Sequence, residues 1–423
     1  MMLMSKIVQL PYGHGTLPAH LPETNLEAIL VPQQEDEPGD EGKLLREALA
    51  RPVGTRPLRE LARSHQRVVI VTSDLTRPCP SERLLPPVLD ELAAAGVPDS
   101  QVTVVLALGL HRLMTDAEIR AAVGEEIHRR VRVINHDPLD TIHLGITSAG
   151  TPVEILRPVV EADFRICLGN LELHYFAGYS GGAKAILPGC ASRATIHANH
   201  AMMIRPEAAA GRLDGNPVRA DIEEGAAMLG VDFILNVVVD SRHRIVEAVA
   251  GDGRLAYRQG CEMVARRAKV QIKRLADMVL VSAGGTPKDV NLYQAQKALD
   301  NAAYAVKEGG IVILIAECRE GTGNQTFEKW MTTATSPDEL LERIQQKFVL
   351  GGHKAAAIAS VLKRARVYLV SALPEELVRR CGLVPFSDPD RAVRAALGEL
   401  GPDARILVLP EGSSILPSLT VSV

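Results

Sequence analysis

The chain has 423 residues, of which 46% are apolar and 23% are charged, and its formal net charge at pH 7 is -4. This length allows two or more domains, and the charge provides no basic patch for nucleic acid or a membrane surface. Aromatic residues make up only 3%, which argues against a stacking platform for bases. The six cysteines form no CxxC pair, and neither a leader peptide nor a long apolar run is evident, so we expect a cytoplasmic protein with reduced thiols.

From residue 67 onward, short apolar runs alternate with helical patterns, which predicts an α/β fold with largely parallel sheets. A connecting helix over residues 254–269 divides this pattern, so we expect two α/β domains, residues 1–270 and 271–423. An acidic stretch at residues 35–41 is expected to be a surface loop. Strands are predicted at residues 68–72, 102–108, 131–134 and 164–168, in a hairpin over 233–249, and at 278–281, 311–316, 367–370 and 406–409.

Polar side chains follow the predicted strands of the first domain, where each strand ends. They are Asp74, Arg77, His111, His136, Asp137 and His174. Because α/β proteins bind ligands beyond the carboxyl ends of parallel strands, this set of histidines, acids and arginine indicates one shared pocket. For His136 and Asp137 two roles remain open, a contact with the pocket or a brace within a loop.

A glycine-rich stretch follows the strand that ends near His174. Glycines at positions 178, 181 and 182 permit a tight turn whose N–H groups could cradle an anion, and Lys184 adds a single amine. The stretch is not an ATP-binding P-loop, because Ala185 stands where that signature requires Ser or Thr. An ordinary tight turn with a solvated lysine is the alternative interpretation.

A helix predicted to begin near Ser192 carries two histidines, His197 and His200, one turn apart on the same face. Imidazoles at this spacing are candidate metal ligands. Together with the glycine-rich turn and its lysine, they indicate a site for a phosphate-bearing cofactor and a metal.

The sequence resembles the lactate racemase family, the nickel-pincer-nucleotide-dependent 2-hydroxyacid racemases and epimerases, along most of its length. The motifs that carry the resemblance are SDLTRP (residues 73–78), ALGLHR (107–112), NHD (135–137), GNLELHYFAGYSGGAKAILPG (169–189), TIHANH (195–200) and NLYQAQKA (291–298). The resemblance implies that the active site lies in the interdomain cleft, with residues 1–270 holding the cofactor and catalytic groups and residues 271–423 closing over them.

The resemblance also implies a cofactor, pyridinium-3,5-bisthiocarboxylic acid mononucleotide nickel, which dedicated biosynthetic enzymes supply. Lys184 matches the lysine that holds this cofactor covalently through a thioamide, and His200 matches the remaining nickel ligand, with His197 as its competitor. His111 and His174 match the catalytic acid and base. The other matching positions are Asp74, Gly181 and Gly182 for the cofactor, and Arg77, Tyr293, Gln294 and Lys297 for the substrate.

The residue types suit inversion of C2 in a 2-hydroxy acid, lactate or a larger one. Removing the C2 hydrogen as hydride avoids a carbanion and leaves a planar 2-keto acid, while a neutral imidazole takes the hydroxyl proton. Each enantiomer needs its own base, hence two histidines, and Arg77 or Lys297 can bind the substrate carboxylate. Two further hypotheses remain, a hydrolase or lyase with a plain metal at His197 and His200, and a non-catalytic cofactor-binding protein on the same scaffold.

Overall fold

A computed structural model describes residues 5–32, 39–240 and 242–420. Residues 35–38 of the predicted acidic loop lie outside the described residues, and residue 41 already begins a helix. Within the described ranges, none of the helices has both the length and the apolar character required to cross a bilayer.

The secondary structure alternates between strands and helices for most of the chain. The strands are β1 (Ser5–Tyr12), β2 (Gly15–Pro22), β3 (Leu26–Ile29), β4 (Val68–Ser73), β5 (Val102–Ala107), β6 (Arg132–Asn135), β7 (Thr141–Ile146), β8 (Pro152–Leu156), β9 (Phe164–Asn170), β10 (Leu173–His174), β11 (Gly178–Tyr179), β12 (Phe233–Val239), β13 (Ile245–Gly251), β14 (Lys269–Ile272), β15 (Ala276–Ser282), β16 (Val306–Ile315), β17 (Arg366–Val370), β18 (Val384–Phe386), β19 (Ile406–Leu409) and β20 (Leu416–Leu419). The α-helices are α1 (Glu41–Ala50), α2 (Leu58–Leu61), α3 (Ser81–Ala94), α4 (Asp116–Val123), α5 (Glu125–Arg130), α6 (Arg157–Val160), α7 (Arg193–Ala201), α8 (Pro217–Ala227), α9 (Leu255–Ala268), α10 (Leu292–Ala302), α11 (Gln325–Thr333), α12 (Pro337–Gln346), α13 (Gly352–Leu362), α14 (Glu375–Arg380) and α15 (Pro389–Leu400).

The chain divides into two compact units, of which the first spans Glu35–Arg266. Its main sheet has the strand order β13-β12-β9-β4-β5-β6, and all neighbours run parallel except the β12–β13 hairpin. Ile70, Val104 and Ile166 of this sheet pack with Leu85 and Leu89 of α3 in one buried cluster. The parallel arrangement confirms the predicted fold class and brings the carboxyl ends of β4, β5, β6 and β9 to one edge.

The second unit comprises Met1–Gln34 and Arg267–Val423. Its main sheet has the order β18-β17-β16-β15-β19-β3, and every neighbouring pair is parallel. The division between residues 266 and 267 lies within α9, near the position predicted from the sequence. Residues 1–34 were expected in the first domain, but they belong to the second unit. The reason is that β3 pairs with β19, and the β1–β2 hairpin buries Leu10 and Leu21 in a cluster with Leu280 of β15.

Candidate functional site

The loops that follow β4 and β5 bring Asp74 and His111 together. Asp74 is 5% exposed, and its Oδ2 lies 2.5 Å from Nδ1 of His111. Its other oxygen, Oδ1, accepts hydrogen bonds from the Thr76 N–H at 3.1 Å and the Thr76 hydroxyl at 2.7 Å. A carboxylate only accepts, so the hydrogen of a neutral His111 lies on Nδ1 and its Nε2 keeps a lone pair. His111 is therefore arranged to accept a proton at Nε2.

The charge state of Asp74 follows from its neighbours. Burial alone would raise the pKa of Asp74, but the hydrogen bonds from His111 and Thr76 and the charges of His111 and Arg77 outweigh it and lower the pKa below its ordinary value. Asp74 is thus ionised at neutral pH. The family resemblance implies a cofactor-binding role for Asp74, whereas both of its oxygens are engaged by His111 and Thr76.

A second group of site residues surrounds Phe176, a buried side chain that the sequence analysis did not single out. The Phe176 ring meets His174 edge-to-face at 4.5 Å between ring centroids and meets His200 in the same way at 5.0 Å. The Lys184 Nζ lies 6.0 Å from the centre of the ring. Three of the predicted site residues, from β10, the glycine-rich turn and α7, thus converge on one aromatic side chain.

His174 differs from His111 in its hydrogen bonding. The Ala177 N–H donates to Nδ1 of His174 at 3.3 Å, so the hydrogen of the neutral His174 ring lies on Nε2. Burial is the main cause that lowers the pKa of His174 well below its ordinary value, and the positive charges of Lys184 and Arg77 add to it. His174 is accordingly a neutral imidazole at neutral pH that presents an N–H, not a lone pair, at Nε2.

The amine of Lys184 forms no hydrogen bond or ion pair with any residue in the described part of the chain. Burial lowers its pKa well below the ordinary value, the charges of Arg77 and Arg219 lower it further, and Glu172 opposes them. A lysine in this environment loses its proton more easily than an exposed lysine, and a neutral amine is a nucleophile. Of the two arginines that lower this pKa, the sequence singled out Arg77 but not Arg219.

Arg219 of α8 is a buried cation that the sequence analysis missed, with only 1% of its surface exposed. Its guanidinium donates to the carbonyl oxygens of Ala177 and Tyr179, and it lies 4.7 Å from the centre of the Tyr257 ring. These contacts fix the backbone at the start of the glycine-rich turn. A single arginine within a helix carries no local signal of such a role, since its carbonyl partners become neighbours only in the folded chain.

The glycine-rich turn is closed by bonds within the protein. The Gly182 N–H donates to Oδ1 of Asn236 at 2.9 Å, and the Ser180 N–H donates to the Glu172 carbonyl. A Cβ at Gly182 would lie 2.5 Å from the Tyr257 ring, and Gly181 has a φ of +76°. The prediction that these N–H groups are free to bind an anion is therefore wrong for Gly182. A glycine is required at this position because a side chain would collide with the Tyr257 ring.

Helix α7 carries both candidate metal ligands, His197 and His200, as predicted, and both are half-buried. His200 is the one that contacts Phe176 and so belongs to the group around that ring. Among the described residues, no group of three or more His, Cys, Asp or Glu side chains could hold a metal ion.

The remaining predicted residues lie on α10 of the second unit. Asn291 caps this helix by accepting from the Gln294 N–H, and Lys297 is exposed one turn further on. The ring of Tyr293 is contacted by α13, with the Lys354 Nζ 5.6 Å from its centre. The position of Tyr293 is thus fixed by packing within its own unit.

His136 is fully buried just past β6. Burial lowers the pKa of His136 to about 4, although the charge of Asp137 and a hydrogen bond with the Ala191 backbone oppose this effect. Of the two roles left open by the sequence, this burial favours a structural one beneath the loop.

We expect the burial of His136 to make the protein sensitive to acid. Since its folded-state pKa is below the unfolded value of about 6.5, the unfolded chain gains the proton first as pH falls, and the free energy of unfolding decreases from about pH 6.5 downward. The expected loss from this residue is about 2 to 3 kcal/mol near pH 4.5. Denaturant unfolding near pH 7 and pH 4.5 would measure it, and a His136→Leu variant that loses as much stability as wild type would contradict it.

Comparisons with known proteins agree with the motifs. Residues 12–211 match the family model of the lactate racemase N-terminal domain, and residues 271–416 match that of the lactate racemase C-terminal domain. Lactate racemases of Thermoanaerobacterium thermosaccharolyticum and Lactiplantibacillus plantarum are 34% and 32% identical to this chain, covering 97% of it and 98% and 99% of their own lengths.

Solved structures show the same relationship. The lactate racemase apoprotein of T. thermosaccharolyticum matches with a TM-score of 0.90 at 34% identity, covering 98% of this chain and 100% of its own. A Thermotoga maritima protein shares the fold with a TM-score of 0.63 at 21% identity, covering 92% of this chain and 100% of its own. The two family models span most of the chain, and they confirm the resemblance inferred from its motifs: the protein belongs to the lactate racemase family, a family of isomerases.

Proposed function

We propose that this protein inverts C2 of a 2-hydroxy acid, with lactate as the first candidate substrate, and that it does so with a nickel-pincer nucleotide held covalently by Lys184. The observation that carries the proposal is the grouping of the Lys184 amine with His174 and His200 around Phe176. The relatives' name supports the reaction, and the chemistry of these side chains supports the cofactor.

The side chains fit such a cofactor in two respects. The Lys184 amine has no hydrogen-bond or ion-pair partner within the described residues and a lowered pKa, as a lysine that forms a covalent bond requires. His200 provides one imidazole where the described protein provides no complete metal site, which suits a metal whose other ligands are sulfur and carbon atoms of a bound cofactor.

When bound, the cofactor would supply an electron-poor ring that takes hydride from C2 of the substrate and returns it to either face. The protein's own part is to move the hydroxyl proton and hold the carboxylate. His111 accepts a proton at Nε2, and the ionised Asp74 stabilises the imidazolium that results. The sequence led us to expect His174 as a second base, but with the Ala177 N–H on its Nδ1 it presents a hydrogen-bond donor to the substrate oxygen from its own Nε2. The proton taken up by His111 would therefore return from His111 to the same oxygen when hydride is delivered to the other face.

The substrate carboxylate requires a cation, and we assign this part to Arg77 in the loop after β4. In support, the guanidinium charge of Arg77 lowers the pKa of both His174 and Lys184. From the second unit we propose Tyr293, Gln294 and Lys297 as further substrate contacts, as the family resemblance implies.

The proposal is tested by producing the protein together with the cofactor-building enzymes and measuring its intact mass, nickel content and activity. We expect an adduct localised to Lys184, about one nickel per chain, and racemisation of one or more single-enantiomer 2-hydroxy acids. The panel consists of lactate, malate, an aromatic 2-hydroxy acid and a sugar acid, each followed by the loss of optical rotation.

The other hypotheses predict different results in the same experiment. A hydrolase or lyase with a plain metal would show an unmodified mass, and its own activity would not require an adduct. A non-catalytic cofactor-binding protein would carry the adduct and nickel but racemise none of the substrates. Protein produced without the cofactor enzymes should be folded and inactive, and activity in that sample would contradict the proposal.

A further inference from the structure

A network of hydrogen bonds between buried polar side chains includes His200. Its first member is Asn199, whose Oδ1 lies 3.1 Å from Nδ1 of His200. Its second member is Asp221 of α8, whose Oδ2 accepts a hydrogen bond from Nδ2 of Asn199 at 2.8 Å. Asn199 is 0% exposed and Asp221 is 2% exposed, so solvent does not compete for these bonds.

The orientation of the Asn199 amide follows from its partners. Its Nδ2 faces two acceptors, the Asp221 carboxylate and the Val218 carbonyl oxygen at 3.2 Å. If the amide were reversed, its oxygen would face both acceptors without a hydrogen between them, which is unfavourable. Oδ1 must therefore point toward His200, and because an amide oxygen only accepts, Nδ1 of His200 carries the hydrogen.

At the other end of this hydrogen-bond network, uncharged hydroxyl groups donate to Asp221. The carboxylate of Asp221 accepts hydrogen bonds from the Thr147 hydroxyl at 2.5 Å and the Thr151 hydroxyl at 3.0 Å. These threonines lie in the β7–β8 hairpin, so the hydrogen-bond network connects that hairpin, α8 and α7. Asp221 is thus a fixed acceptor for Asn199.

We propose that Asn199 and Asp221 are positioning residues that fix the His200 tautomer with its hydrogen on Nδ1, the tautomer in which Nε2 can coordinate a metal. This inference rests on the proposed function, in which His200 is the nickel ligand. A ligating imidazole must be deprotonated at the coordinating nitrogen, and the partner of its other nitrogen sets its tautomer and orientation. The edge-to-face contact with Phe176 orients the same ring from another side.

The tautomer is tested first in the full chain without cofactor, labelled with ¹⁵N-histidine. Long-range ¹H–¹⁵N spectra distinguish a protonated Nδ1 from a protonated Nε2, and the His200 signals are assigned by their loss in His200→Gln. We expect wild-type His200 to be protonated at Nδ1. A wild-type His200 protonated at Nε2 would overturn the inference, and this measurement does not depend on any variant's folding.

The second test uses Asn199→Leu, which removes the acceptor at similar volume. We expect His200 to lose its single tautomer, and protein produced with the cofactor enzymes to keep the Lys184 adduct while binding nickel about 10- to 100-fold more weakly. Asp221→Asn keeps an oxygen for Asn199 to donate to and should retain the wild-type tautomer. An unchanged tautomer and unchanged nickel retention in Asn199→Leu would overturn the inference.

The matched control is Asn25→Leu, another buried asparagine whose Nδ2 donates to two carbonyl oxygens, those of Pro402 and Ala404, in the second unit. It should lose stability as Asn199→Leu does while leaving the His200 tautomer unchanged, and a tautomer change in this control would overturn the inference. If the wild type carries no adduct at all, the proposed function fails, whereas the tautomer of the cofactor-free chain still decides the inference.

Discussion

Replacing Lys184 with alanine is expected to give a folded protein that carries no cofactor adduct and shows only background racemase activity. The amine is the one group proposed to form the covalent bond, and the redox chemistry depends on the group it holds. The fold should be little affected, because the amine makes no hydrogen bond or ion pair with the described residues and its burial is itself unfavourable. We expect the free energy of unfolding to change by no more than about 1 kcal/mol.

Two further variants separate the amine's reactivity from its charge and from lysine content in general. Lys184→Arg keeps a cation at this position but cannot form the thioamide, so it should lack the adduct as alanine does. Lys43→Ala removes an exposed lysine of α1, 4.0 Å from Glu47, and should keep both adduct and activity. Intact mass and peptide mapping measure the adduct, and an active, adduct-free Lys184→Ala protein would contradict the assignment.

The features that sequence reasoning predicted well are those with a local cause. The apolar run of β4 is buried almost throughout, as expected of a strand covered on both faces. Thr115 and Glu118, three residues apart in the sequence, form a capping box at the start of α4. Because parallel strands end at one edge, the same reasoning placed Asp74 and His111 in neighbouring loops, where the structure joins them by a hydrogen bond.

The features that escaped the sequence depend on contacts between distant segments. β3 belongs to the second unit because its partner β19 lies near the other end of the chain. Phe176 and Arg219 acquire their roles from neighbours that fold against them, and a lone aromatic or arginine has no periodicity to reveal that. The Gly182 N–H looked free because its acceptor, Asn236, lies on β12. Features that depend on residues close together in the sequence were thus predictable. The partners that polar groups find in distant segments were not.

Replacing Asp74 with asparagine is expected to lower kcat about 10³- to 10⁴-fold with little change in KM, by analogy with the Asp→Asn change in serine protease triads. An asparagine can donate its amide hydrogen to Nδ1 of His111, which moves the imidazole hydrogen to Nε2 and removes the lone pair that accepts the substrate proton. The volume is unchanged, and Thr76 can still donate to the amide oxygen. Initial racemisation rates at saturating and limiting substrate separate kcat from KM.

The same variant decides between the two assignments of Asp74. If Asp74 orients His111, Asp74→Asn should keep the Lys184 adduct and its nickel while losing turnover, whereas a residue that chiefly binds the cofactor would lose them as well. Asp137→Asn is the matched control, since among the described residues the carboxylate of this exposed aspartate accepts only from the Leu139 N–H at 2.9 Å, and the activity of this variant should stay near wild type. Activity of Asp74→Asn within about tenfold of wild type would show that His111 does not depend on this carboxylate, because losing a general base typically costs about 10²- to 10⁴-fold.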